Sequence, residues 1–231
     1  SLNSVTLPAS LTVISKLMFQ QCTALKTITI PNGVKEIGPW AFYGCSNLSS
    51  ATLPDSITII GELAFQSCAS LSSISIPSGV SQIGNSAFNG CTNLSSVTIQ
   101  NGVNSIGDSA FSGCTKLTSI TLPDSITSIG DSVFSWCTQL TSITLPKYLT
   151  EIASNAFNSC SKLTTINMPN NLNVIGMRAF LNCCSLTTIV IQNSVTQIGS
   201  DAFDGCSSLT SVEFKNTTGW KAGKTALNES D

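Results

Sequence analysis

Apolar and polar positions follow a block of 23 residues that repeats along almost the whole chain without insertion or deletion; Leu71 to Asn93, LSSISIPSGVSQIGNSAFNGCTN, shows all its parts. Leucine opens the block at 2, 25, 48, 71, 94, 117, 140, 163, 186 and 209. Phenylalanine follows 17 residues later in nine blocks, and cysteine closes those nine at 22, 45, 68, 91, 114, 137, 160, 183 and 206. Within the block, Ile74 and Ile76 alternate with serines, the period of a strand with one buried face. Leu71 breaks that alternation and has to turn inward where the strand begins. Proline holds the seventh place in seven of ten blocks, as at Pro31, Pro77 and Pro146. It lacks an N–H and fixes φ, so the strand should stop there and the chain bend. Gln100, Gln192 and Lys215 replace it elsewhere, so the bend does not depend on proline.

After the bend, Val80 and Ile83 are expected to point inward again, followed by a small residue. Glycine takes that place in seven of nine blocks, with Ser15 and Ala153 in the other two. A requirement for small size, and so for close packing, explains this better than a requirement for positive φ. The stretch from Ala87 to Cys91 is too short for a stable helix and suits a tight turn that drives Phe88 inward.

A block of this size cannot bury both its faces alone, so each coil must stack on the next, with strands about 4.8 Å apart in a parallel sheet. Ladders of like residues should run through the interior, and removing one central ring such as Phe111 should cost about 3–5 kcal/mol. Residues 1–214 are read as one solenoid, nine full repeats and the start of a tenth. Residues 215–231 are read as a C-terminal cap and mobile tail, with Trp220 folded over the last coil. Leu2 starts a repeat directly, so the first coil is expected to meet further residues or a neighbouring molecule end to end.

Charged residues form 10% of the chain, against about 25% in an average soluble protein. Ser, Thr and Asn fill the places where charges would sit. With a formal charge of −2 and no basic cluster, the chain has no electrostatic footprint for nucleic acid or an anionic membrane. Its apolar residues never run long enough to span a bilayer. With no histidine, the usual general base is missing, and no enzyme is expected.

The pattern L-x-x-I-x-I-P-x-x-V-x-x-I-G-x-x-A-F-x-x-C resembles the BspA-like, or Treponema pallidum-type, leucine-rich repeat family, from Leu2 to about Phe214. The resemblance implies a right-handed, curved superhelix of 23-residue coils, with a parallel β-sheet on the concave side and short 3-10 or irregular turns elsewhere. It also implies an extracellular or cell-surface location and adhesion to host or matrix proteins such as fibronectin and fibrinogen. No catalytic motif comes with it.

Ten cysteines raise the question of metal or disulfides. Metal is disfavoured by the lack of histidine and of any C-x-x-C pair, and because ligands on successive coils would form a line where zinc needs a tetrahedron. Stacked coils hold neighbouring Cβ vectors nearly parallel, which suits side-by-side thiols better than bridges. The nine ladder cysteines are therefore read as a column of free thiols acting as small apolar side chains. Cys184 lies one place beyond and should be accessible. Asp108 and Asp131 share one place on adjacent coils, where solvated turn residues are a better account than a cation site. No cofactor is expected.

Two surfaces could meet a partner, a protein or a glycan. The third and fifth places of each strand point away from the core and offer Thr27, Thr29, Ser50, Thr52, Ser73, Ser75, Ser96, Thr98, Ser119, Thr121, Ser142 and Thr144 on the concave face. Solenoids generally recognise partners with such a surface, although this one lacks aromatic or Arg anchors. The second is an apolar stripe of Leu17, Trp40 and Leu63 beside Tyr43, where later blocks carry Ser86, Ser109 and Ser132. The alternative reading is a structural spacer that holds other domains of a larger surface protein.

Overall fold

The computed structural model describes residues 2–215 and, for 221–222, the backbone. It is a parallel solenoid with one coil per 23-residue block, and no helix occurs among the described residues. Trp220 and its expected capping role lie outside them.

Concave strands stack in register at the repeat offset, as in Ser73 on Ser96, Ile74 on Val97, Ser75 on Thr98 and Ile76 on Ile99. One hydrogen-bonded run of seven strands extends from Thr27–Thr29 to Thr165–Asn167, and Thr188–Ile191 pairs with Ser211–Phe214 beyond it. The bend after the strand is a β-turn in eight of the described coils, with the carbonyl of the seventh residue accepting, as Val80 N–H donates to Pro77 and Val195 N–H to Gln192, but no such bond closes the bend at Gln100. Gln192 serves here as proline does, since only its carbonyl is used.

A second ladder corrects the expectation of turns alone on the far side. Two-residue strands run from Val13–Ile14 through Gln82–Ile83 to Ser128–Ile129, and again from Glu151–Ile152 to Gln197–Ile198. Lys221–Ala222 adds a further parallel strand to Gln197–Ile198, so part of the expected tail continues the solenoid. The interruption between Ile129 and Glu151 falls beside Ala153. A Cβ placed on the equivalent Gly84 would lie 2.6 Å from the Gly61 carbonyl carbon and 2.7 Å from the Glu62 nitrogen. Coils can close on each other at this place only without a Cβ, and Ala153 carries one.

The stretch before each cysteine forms an arch and not one isolated turn. Ala87, Asn89 and Cys91 N–H groups donate within the coil to Gly84, Ser86 and Phe88, while Ser86, Phe88 and Gly90 N–H groups donate forward to Asp108, Ala110 and Ser112 of the next coil. This interleaving needs two left-handed residues per coil, such as Ser86 at φ 53° and Gly90 at φ 70°. Left-handed backbone costs an ordinary residue about 1–2 kcal/mol, and the inter-coil hydrogen bonds from these same residues offset it.

Nine phenylalanines from Phe19 to Phe203 stack with successive ring centroids 5.0–5.7 Å apart and planes within 17° of parallel. Hydroxyls staple the coils on the outside: Ser72 donates to the Ser49 carbonyl, Ser95 to Ser72, and Thr164 to Thr141, each at 3.1–3.3 Å. These hydrogen bonds explain part of the Ser and Thr content, because a hydroxyl can satisfy a carbonyl one coil away.

Candidate functional site

On the concave face, Thr27, Thr29, Ser50, Thr52, Ser73, Ser75, Ser96, Thr98, Ser119, Thr121, Ser142 and Thr144 are all exposed. None of their hydroxyls makes a hydrogen bond to another protein group among the described residues, in contrast to the stapling hydroxyls one residue before the strands. The register places Ser119, Ser142 and Thr165 in one row and Thr121, Thr144 and Asn167 in a second. The rows are neutral and in step with the coil spacing.

The stripe residues Leu17, Trp40 and Leu63 all occupy the first left-handed place of their arches, at φ 62°, 61° and 55°. Leu17 is 42% exposed and Trp40, Tyr43 and Leu63 are half-buried. Trp40 and Tyr43 touch, with ring centroids 4.9 Å apart at 45°. Sequence reasoning missed Trp136, which is exposed at the second left-handed place, and Tyr148, exposed at a turn with the Lys147 ammonium 5.1 Å from its ring centroid. Each is a single departure from the repeat, and that irregularity was the available signal.

The cysteine column does more than fill space. Every ladder thiol from Cys45 to Cys206 donates to the carbonyl of the phenylalanine 26 residues earlier, as Cys68 does to Phe42 and Cys160 to Phe134 at 3.1–3.2 Å, while Cys184 donates to Asn182. Burial pushes the Cys91 and Cys137 thiols up to about 12, against a partial lowering by a backbone hydrogen bond. Cys68, Cys114 and Cys160 are raised well above the ordinary value by the same burial. Such groups stay protonated and cannot serve as nucleophiles or thiolate ligands at neutral pH. Seven of the nine ladder cysteines are buried, but Cys22 and Cys206 in the terminal coils are half-buried, which corrects the expectation that Cys184 alone is accessible.

Asp108 and Asp131 are pinned, each accepting through Oδ1 from the backbone N–H of the equivalent residue one coil on, Asp131 and Ser154, at 2.9 Å. Asn85 does the same for Asp108 N–H. Among the described residues, no group of three or more His, Cys, Asp or Glu is gathered to hold a metal ion. No helix there is long and apolar enough to cross a membrane.

A family model described as the BspA type leucine rich repeat region matches residues 1–118 and 104–226. The crystal structure of a leucine rich cell surface protein from Faecalibacterium prausnitzii is 32% identical, with a TM-score of 0.59 over 88% of this chain and 63% of that one. The present chain thus spans less than two-thirds of that protein's length. The leucine rich repeat protein of T. pallidum is 30% identical, with a TM-score of 0.68 over 75% of this chain and 82% of that one. A leucine-rich repeat protein from Eubacterium ventriosum is 27% identical, with a TM-score of 0.52 over 85% and 68%. No curated protein matches the chain.

Proposed function

The chain belongs to the BspA-type leucine-rich repeat family, and we propose that it is a non-enzymatic recognition module of a cell-surface or secreted protein, offering its concave sheet to a protein or glycan partner. The observation that carries this reading is the contrast between two sets of hydroxyls. Just before the strands, the hydroxyls of Ser49, Ser72, Ser95, Thr141, Thr164 and Thr210 are bonded to the preceding coil, while those on the concave face are exposed and unengaged, and so remain available for a ligand. A surface held by two backbone ladders and a stacked ring column is also preorganised, so little ordering cost accompanies binding. The cell-surface description of the F. prausnitzii relative supports the location.

Immobilised matrix proteins and host-cell glycans, probed with the chain and with a Ser96→Lys, Ser119→Lys variant, test the reading. Retained melting temperature with lost binding is the expected result. Binding that ignores the double substitution removes the concave face from recognition, and absence of binding to any of them favours the spacer. Leu17, Trp40, Tyr43 and Leu63 form a second contact surface in this reading. If Trp40→Ser lowers stability in place of binding, the stripe is packing and not a contact.

A further inference from the structure

Trp136 is out of place in the repeat. It stands at the second left-handed position of its arch, φ 62°, where Gly44, Gly90, Gly113 and Gly205 stand in four other coils. Glycine adopts such backbone at no steric cost and a bulky residue does not, yet 58% of Trp136 is exposed, more than any other large apolar residue among those described. The ring therefore buries little in return. Gly113 and Ser159 hold the same position on the coils to either side, and the indole is not hemmed in by bulky neighbours.

Four coils earlier the same arch carries the Trp40–Tyr43 pair, at a separation of about 19 Å for coils about 4.8 Å apart. Of the three coils between the two aromatic sites, the first carries half-buried Leu63 with Ser67 at these positions, and the next two are low and polar, with Ser86 and Ser109 at one position and Gly90 and Gly113 at the other. Where the arch begins, Asp108 and Asp131 are exposed and pinned through Oδ1, so the second oxygen of each carboxylate is held at a fixed place facing solvent. Flat rings stack on the C–H face of a pyranose, and oriented carboxylate oxygens accept from its hydroxyls. The same carboxylates repel acidic sugars and nucleic acid, and the Ser and Gly floor of the two coils before the Trp136 coil interrupts any apolar surface that would run from Trp40 and Leu63 to Trp136. We propose that the arch from Trp40 to Trp136 binds a linear neutral glycan, stacked on its aromatic ends and hydrogen-bonded to Asp108 and Asp131. This surface is separate from the concave sheet and does not rest on the reading of that sheet, but it takes in Trp40 and Tyr43 and so rests on reading the apolar stripe as a contact surface.

Calorimetric titration with neutral hexasaccharides, cellohexaose and mannohexaose, and with an acidic hyaluronan hexasaccharide as control, tests the proposal. One of the neutral sugars should bind and the acidic one should not. Trp136→Gly should weaken binding by about tenfold and leave the melting temperature equal or higher, because glycine relieves the left-handed backbone. Asp108→Asn with Asp131→Asn keeps an oxygen to hold the backbone N–H while removing the charge, and should also weaken binding. The proposal is overturned if neither neutral hexasaccharide binds, if the acidic one binds as well, or if Trp136→Gly binds like the parent. Loss of the sugar in the Ser96→Lys, Ser119→Lys variant but not in Trp136→Gly would move the glycan to the concave face, sinking the arch site and leaving the concave reading intact.

Discussion

The Cys137 thiol donates a 3.2 Å hydrogen bond to the Phe111 carbonyl of the preceding coil, and that carbonyl also accepts the N–H of Cys114, the residue that closes its own turn. One oxygen thereby closes the arch and ties it to the next coil. Cys137→Ala removes the tie and leaves a small void between rigid neighbours, for an expected loss of about 1–2 kcal/mol. Urea unfolding of the variant beside the parent measures it. An unchanged midpoint would mean that the thiol only fills space.

Alkaline pH should unfold the protein through the same column. Burial raises the Cys91 and Cys137 thiols from the ordinary 9.0 to about 12. Below pH 9 both folded and unfolded chains hold these protons and stability is complete. Above it the unfolded chain releases them first, so stability falls as pH rises from 9 towards 12, by about 1.4 kcal/mol per pH unit for each such thiol. Urea midpoints across this range should drop steeply for the parent and less steeply for Cys91→Ala with Cys137→Ala.

Glycine before the arch is required by contact distance. Gly84→Ala would set a Cβ 2.6 Å from the Gly61 carbonyl carbon and should destabilise by about 1–3 kcal/mol. Ala153→Gly is the reciprocal change. It should restore backbone bonding between Ile129 and Ile152, seen as slower amide exchange there, even though glycine raises the entropy of the unfolded chain. Unaltered exchange at Ile152 and its neighbours would separate the broken ladder from Ala153.

Thiol labelling of the native protein should order the cysteines by exposure. Cys184 is exposed and should react first, half-buried Cys22 and Cys206 should follow, and the seven buried thiols should react only on unfolding. Mass spectrometry of timed digests resolves the order. Early modification of Cys114 or Cys137 would contradict the closed column.

The columns of Leu, Ile, Phe and Cys were legible because each recurs at one offset and each needs burial. Gln82–Ile83 and its equivalents were not, since two residues are too few for alternation to show and their pairing partner lies a full coil away. Nor did Ser86 or Trp40 announce a left-handed backbone, because neither is a residue type that prefers it. That conformation is imposed by the alternate N–H groups reaching to the next coil. On the surface, Ser73 and Ser72 look alike in the chain, but one faces solvent without a partner and the other donates to Ser49. Only their places on successive coils distinguish them. Trp136 went unread for a related reason, since its significance depends on the glycine geometry of the position it occupies.

Arch N–H groups that leave a coil all reach toward the C-terminal neighbour, as Ser86, Phe88 and Gly90 do, so every coil offers the same donors forward and the same acceptors back. Two copies of a coil placed in tandem satisfy each other as well as the originals did. Duplication or loss of 23 residues inside the array therefore keeps the arch hydrogen bonds across the new junction, whichever residue the break begins at. Length becomes a quantity that recombination between repeats can adjust in whole coils while the fold is conserved, and the reach of the molecule can vary among descendants faster than its core.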